Sequence, residues 1–105
     1  PPNFIHLSDY GATLHYLKAV REAGTDEARA VVRKMKEMPV NDPVVKNGHI
    51  REDGRLVRDA WLMQVKTPEE SKGPWDFYKV LAQIPAAEVI RPLDKGGCPL
   101  VEKKG

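Results

Sequence analysis

The stretch from Gly48 to Lys79, GHIREDGRLVRDAWLMQVKTPEESKGPWDFYK, constrains this chain most. It holds an Asp53-Gly54 reversal, a strand-like run, a polar loop closed by Pro74-Trp75-Asp76, and a second strand-like run. A two-stranded ribbon is at best marginally stable in water unless a further surface covers one face. The other half of the chain is helical, also apolar, and also short of partners. The sequence therefore reads as part of a larger protein.

At 105 residues the chain is long enough for one small domain and no more. Hydrophobic residues make up 41% and charged residues 30%, the balance of a soluble globular protein. The net charge of +2 is spread over interleaved basic and acidic residues, which argues against nucleic acid as a partner. Cys98 is the single cysteine, so it forms no internal disulfide and says nothing of redox compartment. No apolar run has the length of a membrane-spanning helix. The chain starts Pro1-Pro2 without Met or a signal-like segment, which suggests a processed, clipped or engineered end.

Pro1 to Leu7 reads as an extended lead-in. Ser8 or Asp9 can cap a helix running from about Asp9 to Ala23, with Gly24 closing it. Tyr10, Leu14 and Leu17 form one apolar stripe on it, and Tyr16, Ala19, Val20 and Ala23 a second. Thr25 caps a second helix from about Asp26 to Met38, which Pro39 stops. Its stripe is Ala28, Val31, Val32, Met35 and Met38. Val40 to Asn47 is a loop containing Asn-Asp-Pro. Asp53-Gly54 predicts a type I′ hairpin turn between Ile50 and Leu56. Ala60 to Lys66 and Phe77 to Ile84 alternate as strands, with Tyr78, Val80, Ala82 and Ile84 on one face. Ala86 to Ile90 reads as one helical turn, and Arg91 to Gly105 as an irregular tail.

Nothing in this order assembles a catalytic site. His6, His15 and His49 are far apart and lack the i, i+4 spacing of a helical metal site. Cys98, in Gly96-Gly97-Cys98-Pro99, has no helix N-terminus to activate it. Glu52 and Asp53 read as solvated turn residues, and Glu69 and Glu70 as the start of a turn after Pro68. Arg51, Arg55 and Arg58 could enter a nucleic-acid groove as a basic ribbon. Glu52, Asp53 and Asp59 neutralise half of that cluster, which favours a charged edge that resists aggregation. Gly96-Gly97 lacks the strand–helix setting of a phosphate loop.

Three segments, taken in order, carry a resemblance. They are Tyr16-Leu17-Lys18-Ala19-Val20 with Ala23-Gly24-Thr25, then Ile50-Arg51 with Asp53-Gly54-Arg55, then Trp75-Asp76-Phe77-Tyr78-Lys79. With RPL and CPLV further on, they resemble the C-terminal part of ABC-transporter substrate-binding proteins. The family is periplasmic binding protein type I, of the branched-chain amino-acid kind.

The resemblance implies an α/β fold class: a C-terminal fragment of two lobes joined by crossover strands, and not a complete domain alone. Residues 1–39 would pack on lobe I, and residues 40–105 would cross to lobe II and end in the tail. The implied function is solute binding for transport of branched-chain amino acids or related small carboxylates, with this piece as scaffold and hinge. It implies a periplasmic, non-enzymatic protein without cofactor or metal. Its partners would be the remaining polypeptide, a membrane permease and the solute, and the fragment alone would self-associate. No ligand-contacting residue is carried over. The alternative reading is a small free-standing protein-interaction or nucleic-acid-binding module, and the least favoured is a small enzyme.

Overall fold

The computed structural model describes residues 2–102; Pro1 of the expected lead-in and residues 103–105 of the expected tail lie outside it. Two helices come first, α1 (Phe4–Ala23) and α2 (Ala28–Glu37). Four strands follow: β1 (His49–Ile50), β2 (Leu56–Val57), β3 (Ala60–Val65) and β4 (Tyr78–Ile84). The short turns α3 (Ala86–Val89) and α4 (Pro99–Glu102) close the chain, with a 3-10 turn at Leu93–Lys95 between them.

Helix α1 starts earlier than Ser8 or Asp9 would allow, because Asn3 is the cap. Asn3 Oδ1 accepts from the amides of Ile5 and His6 at 3.0 and 3.4 Å. The Asn3 amide in turn donates to His6 Nδ1 at 3.2 Å. This is a reciprocal capping box with histidine in the place usually held by Glu or Gln. Gly24 closes the helix in the left-handed region at φ 66°, as expected. The cap of α2 also moves. Glu27, not Thr25, binds the free amides of Arg29 and Ala30 at 3.0 and 2.8 Å, while Thr25 Oγ1 accepts from Glu27 N. Those amide bonds hold the Glu27 carboxyl below the usual range.

The Asp53-Gly54 turn differs in type from the expectation. A type I′ turn needs positive φ at both residues, but only Gly54 has it, at 82°. Gly54 N donates to Arg51 O, and Arg51 N to Arg55 O, both at 2.9 Å, enclosing a three-residue loop. The cause is Asp53, whose carboxylate accepts from the Arg51 side chain and the Arg55 amide.

Strands β3 and β4 pair antiparallel, with a slip in register between Leu62 and Met63. Leu62 opposes Ala82 and Met63 opposes Val80, so Leu81 is extra. The single face expected for Tyr78, Val80, Ala82 and Ile84 is therefore split. Tyr78 and Val80 lie opposite Val65 and Met63, whereas Ala82 and Ile84 lie opposite Leu62 and Ala60. The loop between the strands carries Trp75 at φ 74°, a cost for a residue with a Cβ. Asp76 holds it there, accepting from Lys66 Nζ at 2.6 Å and from Lys72 N at 2.9 Å. The tail expected to be irregular contains ordered turns; Val101 N donates to Cys98 O at 2.9 Å.

The chain divides into two compact units. One is Asp59–Ile90; the other joins residues 2–58 to residues 91–102. The division expected at 39/40 concerned membership of two lobes, which is a separate question. In the helical unit the core is small: Ala19, Val31, Val40 and Val45 are its buried apolar residues. Apolar side chains on the outside are more numerous. Leu17 is 56% exposed on α1, and in the strand unit Trp61 is 49%, Val65 68% and Trp75 63% exposed. Strands β3 and β4 thus keep apolar side chains in water on both faces. No helix among the described residues is long and apolar enough to cross a membrane.

Candidate functional site

An open cleft of about 440 Å3 lies in the helical unit. Leu7, Gly11 and His15, at helical spacing on α1, form one wall. Val45 and Leu56 line it from the loop and the hairpin, and Arg58 lines it as well. Asp42, nine-tenths buried, also lines it.

The two buried polar side chains of the cleft, Asp42 and His15, each have a structural reason to be there. Asp42 Oδ1 accepts from the amides of Val44 and Val45, both at 2.7 Å, and Asp42 N donates to Val45 O at 2.9 Å. The Asn-Asp-Pro segment thus folds into a tight turn around its own carboxylate. A side chain at position 11 would put its Cβ 2.9 Å from Asp42 Oδ2, so glycine lets the turn lie against α1. His15 Nε2 donates to Met35 O at 2.9 Å. That carbonyl belongs to the last turn of α2, where the helix has no further amide to offer it.

The candidate residues of the sequence are not brought together. His6 caps α1, His15 caps the end of α2, and His49 is exposed on β1. No group of three His, Cys, Asp or Glu able to hold a metal ion occurs among the described residues. Cys98 is a free, half-buried thiol. Of the three arginines, Arg51 is engaged with Asp53 at 2.5 Å and with Arg91 O at 2.8 Å, whereas Arg55 and Arg58 line the cleft. The hydrogen bonds from Arg51 hold the Asp53 carboxyl down at about 2. Asp53 is therefore not a solvated turn residue but half of a largely covered ion pair. Glu70 pairs with Lys79, which lowers its carboxyl pKa; Glu69 is lowered by its own amide and by Thr67. These carboxylates are all stabilised as anions, the reverse of what a general acid needs.

A family model described as periplasmic binding protein matches residues 1–74. The chain belongs to the periplasmic binding protein family. Two solved structures of the family extend the match beyond residue 74. One is a periplasmic binding protein from Burkholderia mallei, 41% identical over 90% of this chain and 25% of its own, with a TM-score of 0.85. The other is a branched chain amino acid ABC transporter periplasmic ligand-binding protein from Burkholderia xenovorans LB400. It is 37% identical over 95% of this chain and 27% of its own, with a TM-score of 0.89. No curated protein matches the chain.

The chain thus spans about a quarter of the length of these two binding proteins, and it is a mixed helix–strand fragment of their fold. That proportion accounts physically for the balance of its surface. A polypeptide shaped to lie within a structure four times larger leaves apolar side chains in water when taken by itself. Sequence reasoning found the family but missed Gly11 and Asp42 as organising residues. The Asn41-Asp42-Pro43 run was a readable turn signal; the packing of Gly11 against it was not, because the two positions are distant in sequence.

Proposed function

We propose that this chain is part of the solute-binding component of an ABC transporter for branched-chain amino acids or related small carboxylates. The observation that carries this is the match along nearly the whole chain to the Burkholderia xenovorans ligand-binding protein. In this reading the chain is the C-terminal portion of a periplasmic, non-enzymatic protein. It works with the rest of the binding protein, with the solute and with a permease in the membrane. Residues 1–39 pack on the first lobe, and in residues 40–105 the hairpin and the following strands cross to the second before the tail. Solute held between two lobes stabilises the shut form, because only that form makes both sets of contacts. The contribution of this chain is scaffold and hinge, with no bond made or broken.

The test is calorimetric titration of the complete gene product with leucine, isoleucine, valine and short-chain carboxylates. Saturable binding of one of them, with compaction seen by small-angle scattering, is the expected result. No heat with any of them removes the proposed substrate class. Binding without compaction removes the closing mechanism.

A further inference from the structure

The loop between α2 and β1 is closed at its neck by a pair of hydrogen bonds. Val40 N donates to Gly48 O at 2.7 Å, and Gly48 N donates to Val40 O at 3.0 Å. Just inside the neck, Asn47 N donates to Asn41 Oδ1 at 2.8 Å. Asn47 is exposed and lies in the left-handed region at φ 53°, which asparagine visits more readily than most residues with a side chain. Gly48 is buried. A Cβ there would stand 2.6 Å from Val45 Cγ1 and 3.3 Å from the Val57 carbonyl oxygen, so the packing favours glycine. That preference carries a chemical liability. An asparagine followed by glycine is open to intramolecular attack, because no side chain shields the next backbone nitrogen. Asn3 is followed by Phe4 and Asn41 by Asp42, so Asn47 alone has this neighbour.

We propose that Asn47-Gly48 is a deamidation site that the Val40–Gly48 bridge holds shut. In the reaction the Gly48 nitrogen gives its proton to hydroxide and attacks Asn47 Cγ. The new C–N bond forms as the bond to the side-chain nitrogen breaks, and ammonia leaves with a proton taken from water. Water then opens the five-membered imide at either carbonyl and leaves aspartate or isoaspartate. The net change is one water taken up and one ammonia released. The folded loop opposes the first step twice. The Gly48 N–H is engaged with the Val40 carbonyl, and the Asn47 backbone is pinned through Asn41, so the nitrogen cannot turn onto Cγ. Reaction therefore waits on local opening of the neck. An open form populated at about 0.1–10% slows the reaction by about tenfold to a thousandfold. Isoaspartate adds a carbon to the main chain, so a reacted loop cannot rebuild the bridge and each event records an opening.

The experiment incubates the complete gene product in mildly alkaline buffer, folded and in urea, and follows Asn3, Asn41 and Asn47 by peptide mass spectrometry with isoaspartate detection. In urea Asn47 should convert while Asn3 and Asn41 stay largely intact. Folded, Asn47 should convert about tenfold to a thousandfold more slowly. The variant N41A removes the acceptor of the Asn47 amide and leaves the bridge itself; its folded rate should rise about fivefold, the effect of one lost hydrogen bond. Hydrogen exchange at the Gly48 amide of the wild-type protein is a second arm that needs no variant, and its protection should match the ratio of the two deamidation rates. No conversion at Asn47 in urea overturns the site. Equal rates folded and in urea, or a Gly48 amide that exchanges as fast as an unprotected one, overturn the guard. A folded N41A rate equal to wild type overturns the pinning by Asn41.

Discussion

His15 Nε2 donates to the carbonyl of Met35 at 2.9 Å, so a side chain in the middle of α1 completes the last turn of α2. His15 is buried, and its partner is a backbone group that the helix itself cannot satisfy. The contact therefore fixes how the two helices meet and explains the histidine without a ligand. Replacing His15 with Ala should cost about 1–3 kcal/mol, the range for leaving a buried acceptor unpaired. Denaturant unfolding of the complete gene product measures this. A loss within experimental error of zero would show that water replaces the donor.

Gly11 gives a prediction opposite in sign to the usual rule. Glycine to alanine inside a helix ordinarily stabilises by about 0.5–1 kcal/mol. Here the new methyl would stand 2.9 Å from Asp42 Oδ2, and that carboxylate is held in place by two amides. Gly11→Ala should therefore destabilise, by about 1–3 kcal/mol for an overpacked contact. Thermal unfolding of the variant reads the sign directly.

The Arg51–Asp53 pair predicts an acid limb in the stability curve. The folded pKa of Asp53 is depressed from 3.8 to about 2, first by the hydrogen bonds from Arg51 and then by the Arg55 amide. A carboxyl bound more tightly as the anion in the folded state contributes stability above its unfolded pKa. That contribution is lost as pH falls from about 4 towards 2. Unfolding curves taken across this window should steepen for the wild-type chain and flatten for Asp53→Asn. Carbon-13 NMR of the carboxyl gives the titration itself, and a midpoint near 4 would remove the claim.

Exposed apolar side chains predict the behaviour of the chain in isolation. Trp61, Met63 and Val65 on β3 and Tyr78 and Val80 on β4 share one face of the ribbon and are all exposed. At micromolar concentration the isolated chain should run on size exclusion above the mass of a monomer. Adding a charge there, as in Val65→Lys, should shift it towards monomer. A sharp monomer peak for the unmodified chain would contradict the partner-dependent surface.

The elements themselves were legible in the sequence, because each rests on neighbours in the chain. Gly24 ends α1, Pro39 follows α2, and the alternation about Trp61 and Tyr78 marks two strands, all through local backbone preferences. The family was also legible in the sequence. Other features were decided by groups that meet only on folding. The extra Leu81 splits the face of β4, Glu27 takes the cap from Thr25, and Asp59 reaches Gln83 and Ala86 across more than twenty residues. Local rules state what a residue prefers among its neighbours. They carry no term for a carboxylate, a methyl or a carbonyl that arrives from elsewhere in the chain, and those arrivals set the register, the caps and the anchors here.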